Sequence, residues 1–390
     1  MNPDITVVLG IRPDVIRASL ILRMLSENKK INFRFIWSGQ HYSDNLKDVF
    51  FRELDIPEPD RAFEIKGEND SEVSSQIMLN LYKEFQENRP KAVVFLGDTN
   101  TVLGCLSAAQ LNIPIIHIEG CMRSYDWRMP EEKCRTVIDN LSDVIYTYFP
   151  EYKLQGVVEG LAPNRIVVIQ NLIVDVLEHY YFPKVSDYVN LRNQLLQNLG
   201  IGQEYYLATA HRRENVEDPN PLSRILDLFG KLNKTVIFPA SYRTQKNLKR
   251  FNLSLPPNVI LTDPIGYKDM LAFMGGAIAV VTDSGTVVEE TAVIGVPSIQ
   301  MRKSTERPQT YDCKSSVKFD PIVDDPDETL LKLKSIEGTS WNHNLGDGNA
   351  SKRLVRDLVE RILSSKGLGT HNPDDYHVPT ERSFQGDGLG

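Results

Sequence analysis

The chain has 390 residues, 41% hydrophobic and 25% charged, with a formal net charge of −8. That is long enough for two domains with full cores, and the acidic balance excludes a protein built to bind nucleic-acid backbones. Cys105, Cys121, Cys134 and Cys313 form no C-x-x-C pair and no cluster with zinc spacing, so neither a disulfide framework nor a metal is expected.

That cysteine usage leads us to expect a reducing, cytoplasmic setting, and the chain opens with the apolar run Ile5–Leu9, where no signal peptide is expected. No apolar run is long enough to span a membrane. Further strands are expected at Phe33–Trp37, Ala92–Leu96, Ile115–Ile118, Val144–Tyr146 and Ile166–Ile169. A second set follows at Tyr205–Ala208, Thr235–Phe238, Val259–Leu261, Ala277–Val281 and Ser298–Gln300. These runs do not alternate, as befits parallel strands buried on both faces. Helical patterns lie between them, among them Val15–Ser26, Glu72–Asn88 and Thr101–Leu111. The spacing predicts an α/β protein of two doubly wound domains with a cleft between them. The expected division is 1–172, 173–348, a helix in 349–365 that crosses back, and a polar tail over 366–390.

Chemistry-bearing residues cluster where strands end. Gly10-Ile11-Arg12-Pro13-Asp14 follows the first strand and opens a helix. Arg12, with Arg17 one turn on, would hold a diphosphate there, although a plain strand–helix turn explains the string equally well. No G-x-G-x-x-G occurs, so no dinucleotide cofactor is expected. Asp98, after Ala92–Leu96, reads as a helix cap or a general base. Glu119, after Ile115–Ile118, has no such cap to explain it, and a partly dry cleft would raise its pKa. Glu131 opens a helix after Pro130, with Arg135 one turn on; dipole complementarity alone accounts for acids in that turn.

Thr209-Ala210-His211-Arg212-Arg213 follows Tyr205–Ala208. Two arginines beside His211 would favour a neutral imidazole and an anion site, against the simpler reading of a solvated basic loop. Ser284, Gly285 and Thr286 open a helix whose N–H groups suit phosphate, and Glu290 one turn in suits ribose hydroxyls. Thr305-Glu306-Arg307-Pro308 adds a loop on the same rim.

Taken in order, G-I-R-P-D, S-G-Q-H (Ser38–His41), G-D-T-N-T, H-I-E-G-C-M-R, P-E-E-K-C-R, H-R-R-E-N, D-S-G-T-V-V-E-E, T-E-R-P and G-D-G-N-A-S resemble the non-hydrolysing UDP-N-acetylglucosamine 2-epimerases. That family has the GT-B fold. The resemblance implies an isomerase of surface-polysaccharide precursors that needs no cofactor and works as a homodimer on a UDP-amino sugar. It assigns UDP contacts to Arg12, Arg17, His211, Ser284 and Glu290, and catalysis to Asp98, Glu119 and Glu131. The family reaction eliminates UDP to a 2-acetamidoglucal and adds it back.

Several positions depart from the family pattern. Cys134 replaces an Asn, D-S-G-T replaces D-S-G-G, and Gln309 follows T-E-R-P where Glu is usual. A His is missing near Pro239–Tyr242. In many bacterial members that region and the S-G-Q-H loop form an allosteric substrate site, so its regulation is expected to differ here. The string Ser124–Glu131 is similar to enzymes acting on UDP-2-acetamido-2,6-dideoxyhexoses. The competing readings are a hydrolysing epimerase, a GT-B glycosyltransferase and a non-catalytic nucleotide-sugar binder.

Overall fold

In the computed structural model, residues 2–40, 51, 53–364 and 368 are described. His41, Ser43 and, apart from Leu368, the tail 366–390 lie outside them. The first sheet contains β1 (Ile5–Leu9), β2 (Phe33–Trp37), β3 (Arg61–Ala62), β4 (Ala92–Leu96), β5 (Ile115–Ile118), β6 (Val144–Thr147) and β7 (Ile166–Val168). The second contains β8 (Tyr205–Thr209), β9 (Thr235–Pro239), β10 (Val259–Thr262), β11 (Val280–Thr282), β12 (Ser298–Met301) and β13 (Ser316–Phe319).

The orders are β3-β2-β1-β4-β5-β6-β7 and β10-β9-β8-β11-β12-β13. All the pairings are parallel. The apolar runs dictate this arrangement. Ile5, Val7, Val8 and Leu9 are all buried, so β1 needs cover on both faces. Two edge strands escaped the sequence pattern. Arg61–Ala62 is too short and polar to register, and Lys318 interrupts Ser316–Phe319.

Each sheet reverses its order once, between β1 and β4 and between β8 and β11. Helices leave on opposite faces at such a point, so a crevice opens at the strands' carboxyl ends. Four of the strings singled out in the sequence follow those four strands.

Helix Leu172–Tyr180 sits at the expected junction. Its buried Leu172, Ile173, Val176 and Leu177 share the first domain's core. Helix Val185–Leu199 then contacts helix Tyr267–Met274 of the second domain. Helix Ala350–Leu363 returns, packing Leu354 and Leu358 into the core that holds Leu22 and Leu25. No described helix is long and apolar enough to cross a membrane.

Candidate active site

Gly10 closes the end of β1 because nothing larger fits. A Cβ there would collide with the hydroxyls of Ser38 and Thr101. Those two hydroxyls lie 2.7 Å apart. Gln40 Oε1 accepts from Thr101 N at 3.0 Å and from the Thr99 hydroxyl at 2.8 Å. The loops after β1, β2 and β4 are thus tied into one floor.

Asp98 is not a helix cap. The turn that follows is the 3-10 helix Asn100–Gly104, with Thr99 at its N-cap and no side-chain cap bond. Asp98 instead accepts from Arg135, which also donates to Glu132 at 2.6 Å. Burial pushes the Asp98 carboxyl up, but Arg135, with Arg17 and Arg212, outweighs burial and holds it below its usual range. Glu131, one helical turn before Arg135, is shifted the other way. Burial raises it, the nearby Asp98 adds to the rise, and Arg212 only partly opposes. Two carboxyls facing one cleft are therefore shifted in opposite directions.

Glu119 sits in a row of buried charges that runs between the domains. Arg17 donates to Asp14 at 2.7 Å and to Glu119, Arg307 donates to the other oxygen of Glu119, and Arg307 lies 2.7 Å from Glu289. Asn171 donates to Glu289 at 2.7 Å. Glu119 has φ +75°, a conformation a non-glycine residue keeps only when its surroundings fix it. At one end of the row, burial lifts Asp14 to about 7, against the pull of Arg17.

On the second domain, Asp283 organises the loop after β8. Its Oδ2 accepts from the backbone N–H of His211 and of Arg212, both at 2.9 Å, and its Oδ1 lies 3.0 Å from His211 Nδ1. Burial opposes ionisation of Asp283, but these donors hold it at about 2. His211 remains half exposed at the cleft. The two arginines that flank His211 take different partners from it and from each other. Arg212 turns toward Glu306, and Arg213 reaches Asp70 of the first domain. Adjacent side chains of a loop diverge, so neighbours in sequence need not share a face.

Ser284 caps helix Gly285–Ile294, accepting from Val287 N at 3.4 Å, with Gly285 and Thr286 in the first turn. A Cβ on Gly285 would lie 2.5 Å from Arg307 Nε, so the T-E-R-P loop crosses directly over the helix start. Glu290 accepts from Tyr267 at 2.8 Å, and burial lifts its carboxyl to about 8. Arg12, at the first turn of its helix, contacts the Ile265 carbonyl of the second domain at 3.4 Å.

The structure therefore gathers Asp98, Arg135, Arg307, Glu119 and Arg17 on one connected set of contacts through Glu306, with Glu131 near Asp98 and Arg212, and His211 and Ser284–Thr286 at the facing strand ends. Sequence reasoning missed Asp283, Glu289, Tyr267 and Asp70 as partners. Asp283 was visible in D-S-G-T, but its aim back at β8 depends on the β8–β11 pairing. Among the described residues no group of three or more His, Cys, Asp or Glu side chains is arranged to hold a metal ion.

Two doubly wound domains whose switch points face one another across a charged cleft define a GT-B protein. The family model for UDP-N-acetylglucosamine 2-epimerase matches residues 23–359. The UDP-N-acetylglucosamine 2-epimerase of Methanocaldococcus jannaschii is 34% identical over 368 residues, which is 91% of this chain and 98% of that protein. The crystal structure of the M. jannaschii UDP-GlcNAc 2-epimerase in complex with UDP-GlcNAc and UDP superposes with a TM-score of 0.84 at 30% identity, covering 91% of this chain and 99% of that one. A UDP-2,3-diacetamido-2,3-dideoxy-D-glucuronate 2-epimerase of Pseudomonas aeruginosa is 29% identical, over 91% of this chain and 99% of that protein. This chain belongs to the UDP-N-acetylglucosamine 2-epimerase family and is an isomerase.

Proposed function

We propose that the protein interconverts UDP-N-acetylglucosamine and UDP-N-acetylmannosamine by inverting carbon 2 of the sugar. The observation that carries this reading is the opposed environment of Asp98 and Glu131 in one arginine-lined cleft. Asp98, ionised beside Arg135, takes the proton from carbon 2. The bond from carbon 1 to the diphosphate oxygen breaks, its electron pair leaves with UDP, and a carbon–carbon double bond forms. Arg12, His211, the Ser284 hydroxyl and the N–H groups of Gly285 and Thr286 balance the departing charge. Glu131, whose carboxyl burial holds above its usual range, serves as the acid and gives a proton to the opposite face of carbon 2 as the UDP oxygen returns to carbon 1.

The two carboxyls finish with their protons exchanged, and solvent resets them. Glu290, which Tyr267 orients by a hydrogen bond, takes the ribose hydroxyls in this reading. Glu119 is the third carboxylate of the reading, and its guanidinium partners must move before it meets a proton. A homodimer in the cytoplasm completes the reading, with light scattering as the test of the dimer.

Incubation with UDP-N-acetylglucosamine in deuterated water, followed by NMR, tests the chemistry. The expected result is a mixture of both epimers with deuterium at carbon 2. Epimerised product without deuterium there would overturn the proton transfer, and accumulation of free N-acetylmannosamine would assign a hydrolysing enzyme instead. The name of the P. aeruginosa relative favours a diacetamido uronic acid as the second substrate to try.

A further inference from the structure

Glu306 has no part in the reaction described so far, yet it occupies the meeting point of four guanidinium groups. Its side chain is 2% exposed, and its Oε2 lies 2.8 Å from Arg302. Its Oε1 stands 3.6 Å from Arg307, 3.7 Å from Arg135 and 3.8 Å from Arg212. Arg302 and Arg307 belong to its own loop. Arg135 comes from helix Pro130–Leu141 of the first domain, and Arg212 from the loop after β8. One carboxylate thus balances cations from both walls of the cleft.

The three longer separations exceed hydrogen-bond range. The attraction is Coulombic, and the N–H groups of Arg135 and Arg212 stay free of Glu306. Arg135 uses one on Asp98. Arg212 keeps Nη1 buried without an acceptor among the described residues. Without an anion at their centre, guanidinium groups gathered this closely repel one another and separate.

We propose that Glu306 is a positioning residue for the epimerisation, anchoring Arg135 and Arg212 at fixed distances from the acid–base carboxylates Asp98 and Glu131. The proposal rests on the reading of those two carboxylates given above. It also predicts a direction for the pH dependence. Asp98 is faced by Arg135, Glu131 and Cys134 from helix Pro130–Leu141, and by Asp14 and Arg17 from helix Arg12–Ser26. Arg212 and Glu306 face it from the second domain. Of these, Glu306 pushes the Asp98 carboxyl up while Arg135 pulls it down. Neutralising Glu306 leaves the cations unopposed, so Asp98 ionises at lower pH and becomes a weaker base.

The test compares the full-length protein with Glu306→Gln and Glu306→Asp. Turnover of UDP-N-acetylglucosamine is measured across the active pH range, and UDP affinity by calorimetry. In Glu306→Gln, kcat should fall by up to about a hundredfold, as displaced positioning groups cause. The acid limb of kcat/KM should move to lower pH, and UDP should bind no more weakly than to the wild type. Glu306→Asp, which keeps the charge, should bring the limb back. An unmoved acid limb in Glu306→Gln, or loss of UDP affinity in step with kcat, overturns the proposal. So does a Glu306→Asp profile no closer to wild type than that of Glu306→Gln. Failure of the underlying reading is separable: Asp98→Asn with wild-type turnover would sink it whatever Glu306 does.

Discussion

Arg213 reaches across the cleft and takes both carboxylate oxygens of Asp70, at 2.7 and 2.8 Å. Asn100 donates to the same carboxylate at 3.0 Å, so the contact is locked to the Asp98 loop. The pair joins the start of helix Asp70–Glu87 in one domain to the loop after β8 in the other.

Both side chains are more than a third exposed, so solvent and salt discount the pair. Asp70→Asn and Arg213→Gln should each weaken UDP binding only several-fold, with a coupling of about 0.5–1 kcal/mol in a double-mutant cycle. Added salt should shrink that coupling. Strictly additive effects would show that the bridge plays no part in holding the domains together around the ligand.

Asp98→Asn removes the group that Arg135 holds ionised. Turnover should fall roughly a hundred- to ten-thousand-fold while UDP affinity stays close to wild type. Kinetics and calorimetry on the same preparation check both halves. A matching loss of UDP affinity would reassign Asp98 to binding.

Glu290 should make stability depend on pH. Its carboxyl rises from 4.5 to about 8, burial being the main cause. The sign follows from linkage: below about pH 4.5 both folded and unfolded chains carry the proton, and the folded state keeps its full advantage. Between there and about pH 8 only the unfolded state ionises freely, so stability falls. Glu290→Gln cannot ionise, and its amide oxygen can still accept from Tyr267. The variant's melting temperature should gain on the wild type steadily as pH rises from 5 to 8. A constant difference across that range would contradict the assignment.

Gly285→Ala places a methyl group where Arg307 passes at 2.5 Å. Overpacking of this kind costs about 1–3 kcal/mol. Because Arg307 also holds Glu119 and Glu289, UDP binding should suffer along with thermal stability. An alanine variant with normal affinity would mean that the arginine shifts without consequence.

Much of the fold was legible because parallel strands buried on both faces write themselves as unbroken apolar runs. Ala92–Leu96 and Ala350–Leu363 were readable end to end. The edge strand Ser316–Phe319 was not, since only one neighbour pairs with it and its lysine breaks the run. The carboxylates of the site were visible as residues at strand ends. Their partners were not, because Arg307 and Glu119 are 188 positions apart and meet only across the domain boundary. The partners of the H-R-R string were hidden for a related reason: the fold sends His211 to Asp283 and Arg213 to Asp70.

An enzyme that cleaves its substrate in mid-reaction must keep hold of both fragments. The row from Asp14 through Glu119 and Arg307 to Glu289 is a seam of buried charges that seals the two halves against each other. If the proposed elimination holds, a seam that keeps the halves together would favour recombination of the unsaturated sugar with UDP over their escape. Loosening the seam should turn a tidy isomerase into a leaky one, with free glycal and UDP appearing in the medium at the expense of epimer.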